Sequence, residues 1–131
     1  MIILDTCVIV YDALDPDKLS KRASEKLRDG LLAGLLACSD ISLWEIAMLI
    51  NKGRLKPDAD PLIFIRKSLA ANRMKVLPIT PEIAMLANSR NGFDHGDPAD
   101  RIIAATALHY KAMLITCDGM LQKVKGLNVI W

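Results

Sequence analysis

Two patterns of apolar residues alternate along the chain. Short, mainly apolar runs at residues 2–4, 35–38, 75–79, 112–116 and 128–131 predict five brief strands. Between them, apolar residues recur every three or four positions, as on one face of a helix. Residues 18–28 predict a helix with Leu19, Ala23 and Leu27 four apart and Asp17 placed to cap it. Residues 41–51 predict another, stopped around Gly53. Asp60-Pro61 opens a further helix, the cap and the proline standing in the order that helix starts favour. Thr80-Pro81 starts one that ends near Asn91-Gly92, and Asp97-Pro98 one that runs to about Tyr110. A short helix at residues 120–124 precedes the last strand. Strands separated by helices predict a mainly parallel sheet of about five strands with both faces covered. Ligands of such sheets sit beyond the carboxyl ends of the strands.

Composition narrows the class. The 131 residues are 52% hydrophobic and 24% charged, which excludes a disordered chain. One domain over residues 1–131 is expected, with enough core to fold without a disulfide or a metal. The longest uncharged stretches, 30–39 and 102–110, fall far short of the ~18 apolar residues of a membrane span. Met1-Ile2-Ile3-Leu4 runs straight into Asp5, which is not the pattern of a secretory leader. Cys7, Cys38 and Cys117 include no C-x-x-C pair, so a reduced, cytoplasmic protein is expected, with the cysteines as small buried hydrophobes. No Cys/His cluster has the spacing of a structural zinc site. Aromatic residues, at 5%, are too few for base stacking to dominate.

The net charge of +2 conceals an imbalance among the acids, 12 of 15 being Asp. Aspartate competes with the helix backbone, so an excess of it marks caps and turns, a carboxylate site, or both. Asp5 stands between Ile2-Ile3-Leu4 and Thr6-Cys7-Val8-Ile9-Val10, at the carboxyl end of the first strand. A carboxylate in such apolar surroundings must be paired, hydrogen-bonded or metal-bound, unless it caps a following helix. Glu45 is the only charge in residues 41–50. It could be a ligand, or the Glu of a Ser42-x-x-Glu45 capping box, and the two roles are compatible. Asp97 is placed as an N-cap or as a site residue. Asp100 falls in the first turn of the same helix, where the dipole favours an anion. Asp118 ends the fourth strand before Gly119, as a turn residue or as a counterpart of Asp5.

Together these acids put three or four carboxylates at strand ends and helix starts of one small parallel sheet. Like charges that close repel unless a cation sits among them or some remain protonated. Oxygen-only ligands select Mg²⁺ or Mn²⁺ over zinc. Such a site suits phosphodiester hydrolysis, in which the ion activates a water, holds the scissile phosphate and neutralises the leaving oxygen.

The order and context of these acids resemble the PIN-domain family, and within it the VapC-type toxins of toxin–antitoxin pairs. The matching pieces are Leu4-Asp5-Thr6, Ile41-Ser42-Leu43-Trp44-Glu45-Ile46, the run from His95-Gly96-Asp97-Pro98-Ala99-Asp100-Arg101 through Ala107, and Leu114-Ile115-Thr116-Cys117-Asp118. They span essentially the whole chain, the segment 97–107 being the most specific, and no acidic position departs from the family pattern. The resemblance implies a PIN-like three-layer α/β/α sandwich. It implies that Asp5, Glu45, Asp100 and Asp118 are the catalytic, metal-binding acids, that Asp97 is an auxiliary acid or cap, and that Thr6 and Thr116 hold the site by hydrogen bonds. It further implies an Mg²⁺- or Mn²⁺-dependent endoribonuclease acting on RNA, a homodimer, and a small antitoxin that blocks the site. A degenerate PIN module acting mainly as a binding domain is the alternative. A haloacid-dehalogenase-type phosphatase would need an acid at Cys7, and a receiver domain would need an acid paired with Asp5.

Softer signals remain. Lys18, Arg22 and Lys26 are expected on one helix face, solvated or contacting phosphate. His95 reads as a loop histidine or a phosphate contact. Trp44 and the methionine-bearing helix faces read as core or dimer surface. With four acids withdrawn into a site, 17 basic residues face 11 acidic ones, a net of +6 that favours RNA.

Overall fold

Ile2, Ile3 and Leu4 carry apolar side chains to both sides of the backbone, so the strand they form needs cover on both faces. In a computed structural model, which describes residues 1–89 and 96–131, that strand, β1 (Ile2–Leu4), is the centre of a five-stranded sheet. The others are β2 (Leu36–Ser39), β3 (Lys75–Leu77), β4 (Met113–Ile115) and β5 (Asn128–Ile130), in the order β3-β2-β1-β4-β5. Every pairing is parallel, with Ile2 opposite both Leu36 and Met113, and Leu4 opposite Ile115.

Helices close both faces and make three layers. Ile2 and Leu4 join one core with Val8 and Ile9 of α1 (Thr6–Leu14), Leu27 of α2 (Lys21–Ala33), Ile46 of α3 (Ile41–Asn51) and Phe64 of α4 (Pro61–Ala71). Ile3 joins the other with Ile83 of α5 (Pro81–Ala87) and Ile103, Ala104 and Ala107 of α6 (Pro98–His109). Gly30 lets α2 lie close on the sheet: a Cβ there would meet the Leu36 side chain at 2.5 Å. Among the described residues no helix is long and apolar enough to cross a membrane.

The structure departs from the sequence pattern in several places. Residues 6–14, not assigned an element above, form α1; Val8, Ile9 and Val10 are all buried, so the helix has no polar face to give it a period. Helix α2 starts at Lys21, capped by Ser20, whose Oγ accepts from Ala23 N at 3.0 Å. Asp17 therefore caps nothing there. It and Lys18 lie in a separate 3-10 turn, Pro16–Lys18. Lys18 sits 3.5 Å from Asp15 and over the Tyr11 ring, so the Lys18–Arg22–Lys26 stripe is not a single helix face. Helix α5 ends at Ala87, short of Asn91-Gly92, because Asn88 and Ser89 side chains donate to the Ala84 and Leu86 carbonyls. The short helix expected at 120–124 is one 3-10 turn, Leu121–Lys123.

The strand order fixes where a ligand can enter. From β1 the chain moves outward through β2 and β3 on one side, and β4 and β5 lie on the other. The carboxyl ends of β1 and β4 therefore flank the point where the winding reverses, the usual crevice of an open parallel sheet.

Candidate active site

Asp5 follows β1 directly and is 4% exposed. It occupies the N-cap position of α1, but its side chain makes no cap bond. Instead Oδ2 accepts from Thr116 Oγ1 at 2.5 Å and from the Cys7 thiol at 3.4 Å. Thr116 is fully buried, and its Oγ1 also accepts from Asp118 N at 3.0 Å, so one hydroxyl ties the ends of β1 and β4 together. Burial pushes the Asp5 carboxyl up, against the Thr116 bond that favours its charged form.

Glu45 points from the second turn of α3 toward α1. Thr6 donates to its Oε1 at 2.5 Å and lies 3.0 Å from Ser42 Oγ. The capping box is not formed: Ser42 lies inside α3, behind the N-cap Asp40, and is itself buried. Burial raises the Glu45 carboxyl, with Asp5 and Asp97 adding to the effect against the Thr6 bond.

Asp100 lies in the first turn of α6, half-buried. Its carboxyl is raised to about 7, first by burial and then by Asp5, Asp118, Glu45 and Asp97. No hydrogen bond satisfies it among the described residues. Asp118 is fixed by its own turn, Oδ1 accepting from Met120 N at 2.6 Å and Leu121 N at 3.4 Å.

Asp5, Thr6, Glu45, Asp100 and Asp118 all line one cavity of about 380 Å³. Its lining holds no Lys, Arg or His among the described residues. Asp97 does not line it. Asp97 is exposed, accepts from Ala99 N at 2.8 Å as the cap of α6, and borders a neighbouring groove with Trp44. His95 lies outside the described residues.

Two contributors escaped the sequence pattern. Cys38 is buried, but Cys7 and Cys117 are half-buried and line the acid cavity. Their positions, two after Asp5 and one before Asp118, were the available signal. Leu55 also lines the cavity, and its chain neighbours Arg54 and Lys56 are exposed.

The donor chemistry fits a hard divalent cation. Four carboxylates line one cavity with no basic residue among the described ones, and burial, with the neighbouring acids adding to it, favours the neutral form of Asp100. Among the described residues, no three acidic, cysteine or histidine groups stand at the spacing of a closed coordination set. Mg²⁺ does not require one, since it binds through one or two carboxylates and keeps waters or substrate phosphate on its other positions.

Comparison with known proteins places the fold in context. Residues 2–127 match the PIN domain. A ribonuclease of Mycobacterium tuberculosis, VapC22, is 31% identical over 121 residues, covering 92% of this chain and 89% of that protein. Among solved structures, the VapBC2 complex of Rickettsia felis bound to promoter DNA superposes with a TM-score of 0.74 at 18% identity, covering 99% of this chain and 98% of that one. The DNA-bound VapBC complex of Salmonella typhimurium gives 0.71 at 19% identity, covering 98% and 96%.

Proposed function

Since this chain belongs to the PIN-domain family, and to its VapC-type members, we propose that it is a cytoplasmic, metal-dependent endoribonuclease, the toxin of a VapBC-type pair. The observation that carries the reading is the cavity beyond β1 and β4, which four carboxylates line and, among the described residues, no basic side chain does.

Asp5, Glu45, Asp100 and Asp118 are the residues that would hold Mg²⁺ or Mn²⁺. Bound there, the ion supplies water activation, phosphate orientation and charge neutralisation on the leaving oxygen. The chain's own part is preorganisation. Thr116 holds Asp5 by Oδ2, Thr6 holds Glu45 by Oε1, and the 119–121 turn holds Asp118 by Oδ1. The second oxygens of Glu45 and Asp118, and both of Asp100, have no partner among the described residues and remain for a ligand. Asp97 serves by capping α6 and so fixing the turn that presents Asp100. Leu55 lines the cavity and its sequence neighbours Arg54 and Lys56 are exposed cations, which suits an RNA backbone approaching an acidic cavity. The same cavity suits a basic side chain from an antitoxin, which would neutralise the acids and occlude the site.

The test is cleavage of single-stranded and structured RNA in Mg²⁺, in Mn²⁺ and in excess chelator. Cleavage should require the ion, and Asp5→Asn and Asp100→Asn should each lower the rate by about 10²-fold or more while the fold is retained. Undiminished cleavage in chelator refutes the metal mechanism.

A further inference from the structure

Cys7 and Cys117 are 110 residues apart in sequence, yet their sulphurs lie 3.0 Å apart. Sheet register brings them together: Cys7 is in the first turn after β1, Cys117 follows β4, and these strands are paired through Leu4 and Ile115. The Cys117 thiol donates to the Cys7 sulphur, and the Cys7 thiol donates to Asp5 Oδ2. Both line the open acid cavity, whereas Cys38 is fully buried.

We propose that Cys7 and Cys117 are a redox-responsive dithiol, oxidised to an intramolecular disulfide by a low-molecular-weight disulfide of the glutathione type, and that the bridge disables the acid cavity. The chemistry balances by thiol–disulfide exchange. The thiolate of one cysteine attacks a sulphur of oxidised glutathione, breaks its S–S bond and releases one glutathione thiolate. The Cys7 sulphur, held as the thiol by burial, attacks the Cys117 sulphur of that mixed disulfide as its proton passes to the departing second glutathione thiolate, and the Cys7–Cys117 bond forms. Two electrons pass from the cysteines to glutathione disulfide, and the two thiol protons finish on the two glutathione thiolates. Disulfides of this transient kind occur in cytosolic proteins as redox sensors.

Bonding at ~2.05 Å requires the two sulphurs to approach by about 1 Å. That movement takes the Cys7 S–H donor from Asp5 and draws the segment bearing Asp118 toward α1. Displacements on the order of 1 Å at reacting groups cost ~10²-fold in rate. The effect on cleavage rests on the ribonuclease reading above; the thiol chemistry does not.

The experiment equilibrates the full chain with reduced and oxidised glutathione, alkylates it, and maps unreduced peptides by mass spectrometry. The expected product is a Cys7–Cys117 link in single chains, with Cys38 alkylated and the link lost on adding dithiothreitol. Separate glutathione adducts at Cys7 and Cys117, or links only between chains, overturn the proposal. The Mg²⁺-induced rise in Tm and the RNA-cleavage rate are then compared. Oxidation should abolish the former and lower the latter at least about tenfold, both reversibly. Cys117→Ser, compared with itself before and after the oxidant, should show no change in cleavage rate or in Mg²⁺-induced Tm rise. A quantitative bridge with both readouts unchanged overturns the control of the cavity. Absence of cleavage by the reduced protein instead counts against the ribonuclease reading and leaves the peptide map and the Tm response to decide this one.

Discussion

Replacing Asp100 by Asn should stabilise the metal-free protein at neutral pH. In the folded chain the Asp100 carboxyl sits at about 7, against an ordinary value of 3.8, because it is partly withdrawn from water and faces Asp5, Asp118, Glu45 and Asp97. The folded state therefore keeps a proton that the unfolded state has lost between these two values. The stabilisation this provides is present in full below about 4 and disappears as pH rises through about 7. At ~1.4 kcal/mol per pH unit, the interval corresponds to about 4 kcal/mol. Asp100 is only half-buried, so solvent screening reduces the figure to about 1–2 kcal/mol. Asn is isosteric and uncharged. In chelator at pH 7.5, Asp100→Asn should gain that 1–2 kcal/mol, or roughly 3–10 °C in Tm for a domain of this size. At pH 3, where both the folded and the unfolded wild type are protonated, the two proteins should melt together. Mg²⁺ should raise the wild-type Tm, by about 2.7 kcal/mol of stability at a hundredfold excess over Kd, and should move the variant much less. The assay is a set of thermal melts at both pH values, each in chelator and in Mg²⁺. A variant no more stable than wild type at pH 7.5 in chelator, or one shifted equally at both pH values, refutes the idea that these carboxylates repel one another.

Three further outcomes follow from the same geometry. Thr116→Val keeps the shape of a buried residue but removes the donor to Asp5 Oδ2 and the acceptor for Asp118 N; cleavage should fall about 10–100-fold and stability by about 1–3 kcal/mol, Thr116→Ser should restore both, and failure of that rescue would mean the hydroxyl is not what matters. Asp97→Ala should cost about 0.5–2 kcal/mol and Asp97→Asn almost nothing, equally in chelator and in Mg²⁺; a metal-dependent difference in melts would make Asp97 a ligand rather than a cap. Trp44 is 59% exposed beside Ile41, Met48, Pro98 and Ile102, an apolar groove of the kind that marks association; light scattering at micromolar concentration should give a dimer for wild type and a monomer for Trp44→Glu, and a monomeric wild type would exclude the homodimer.

How much of this was legible from the chain depended on whether a local pattern carried the information. The five strands and five of the helices, α2 to α6, were, because each had a period or a boundary signal. Asp60-Pro61, Thr80-Pro81 and Asp97-Pro98 mark helix starts in the structure as they do in the sequence, and all three polar residues cap through their side chains. Helix α1 was not legible, because Val8, Ile9 and Val10 are all buried and these β-branched residues favour a strand. Asp17 misled because a proline beside a carboxylate can open a 3-10 turn as readily as a longer helix, and Ser20 was the better cap.

For the site, local pattern could nominate carboxylates, whereas Thr6 and Thr116 as their hydrogen-bond partners came only from the family resemblance. Asp5 and Asp118 stood out because each follows an apolar strand, and Glu45 because it is a lone charge in an apolar helix. Their hydrogen bonds are non-local: Thr116 reaches Asp5 across 111 residues and Thr6 reaches Glu45 across 39. Such contacts exist only once β1 and β4 are paired and α3 lies against α1. The same reasoning explains the cysteines. Each looked like an ordinary small apolar residue, and the proximity of Cys7 to Cys117 is a consequence of parallel pairing that no local spacing encodes. The polar network and the thiol pair thus share one origin. Residues placed just after two adjacent parallel strands are brought together whatever their distance along the chain, so in this fold chemistry collects at the ends of β1 and β4.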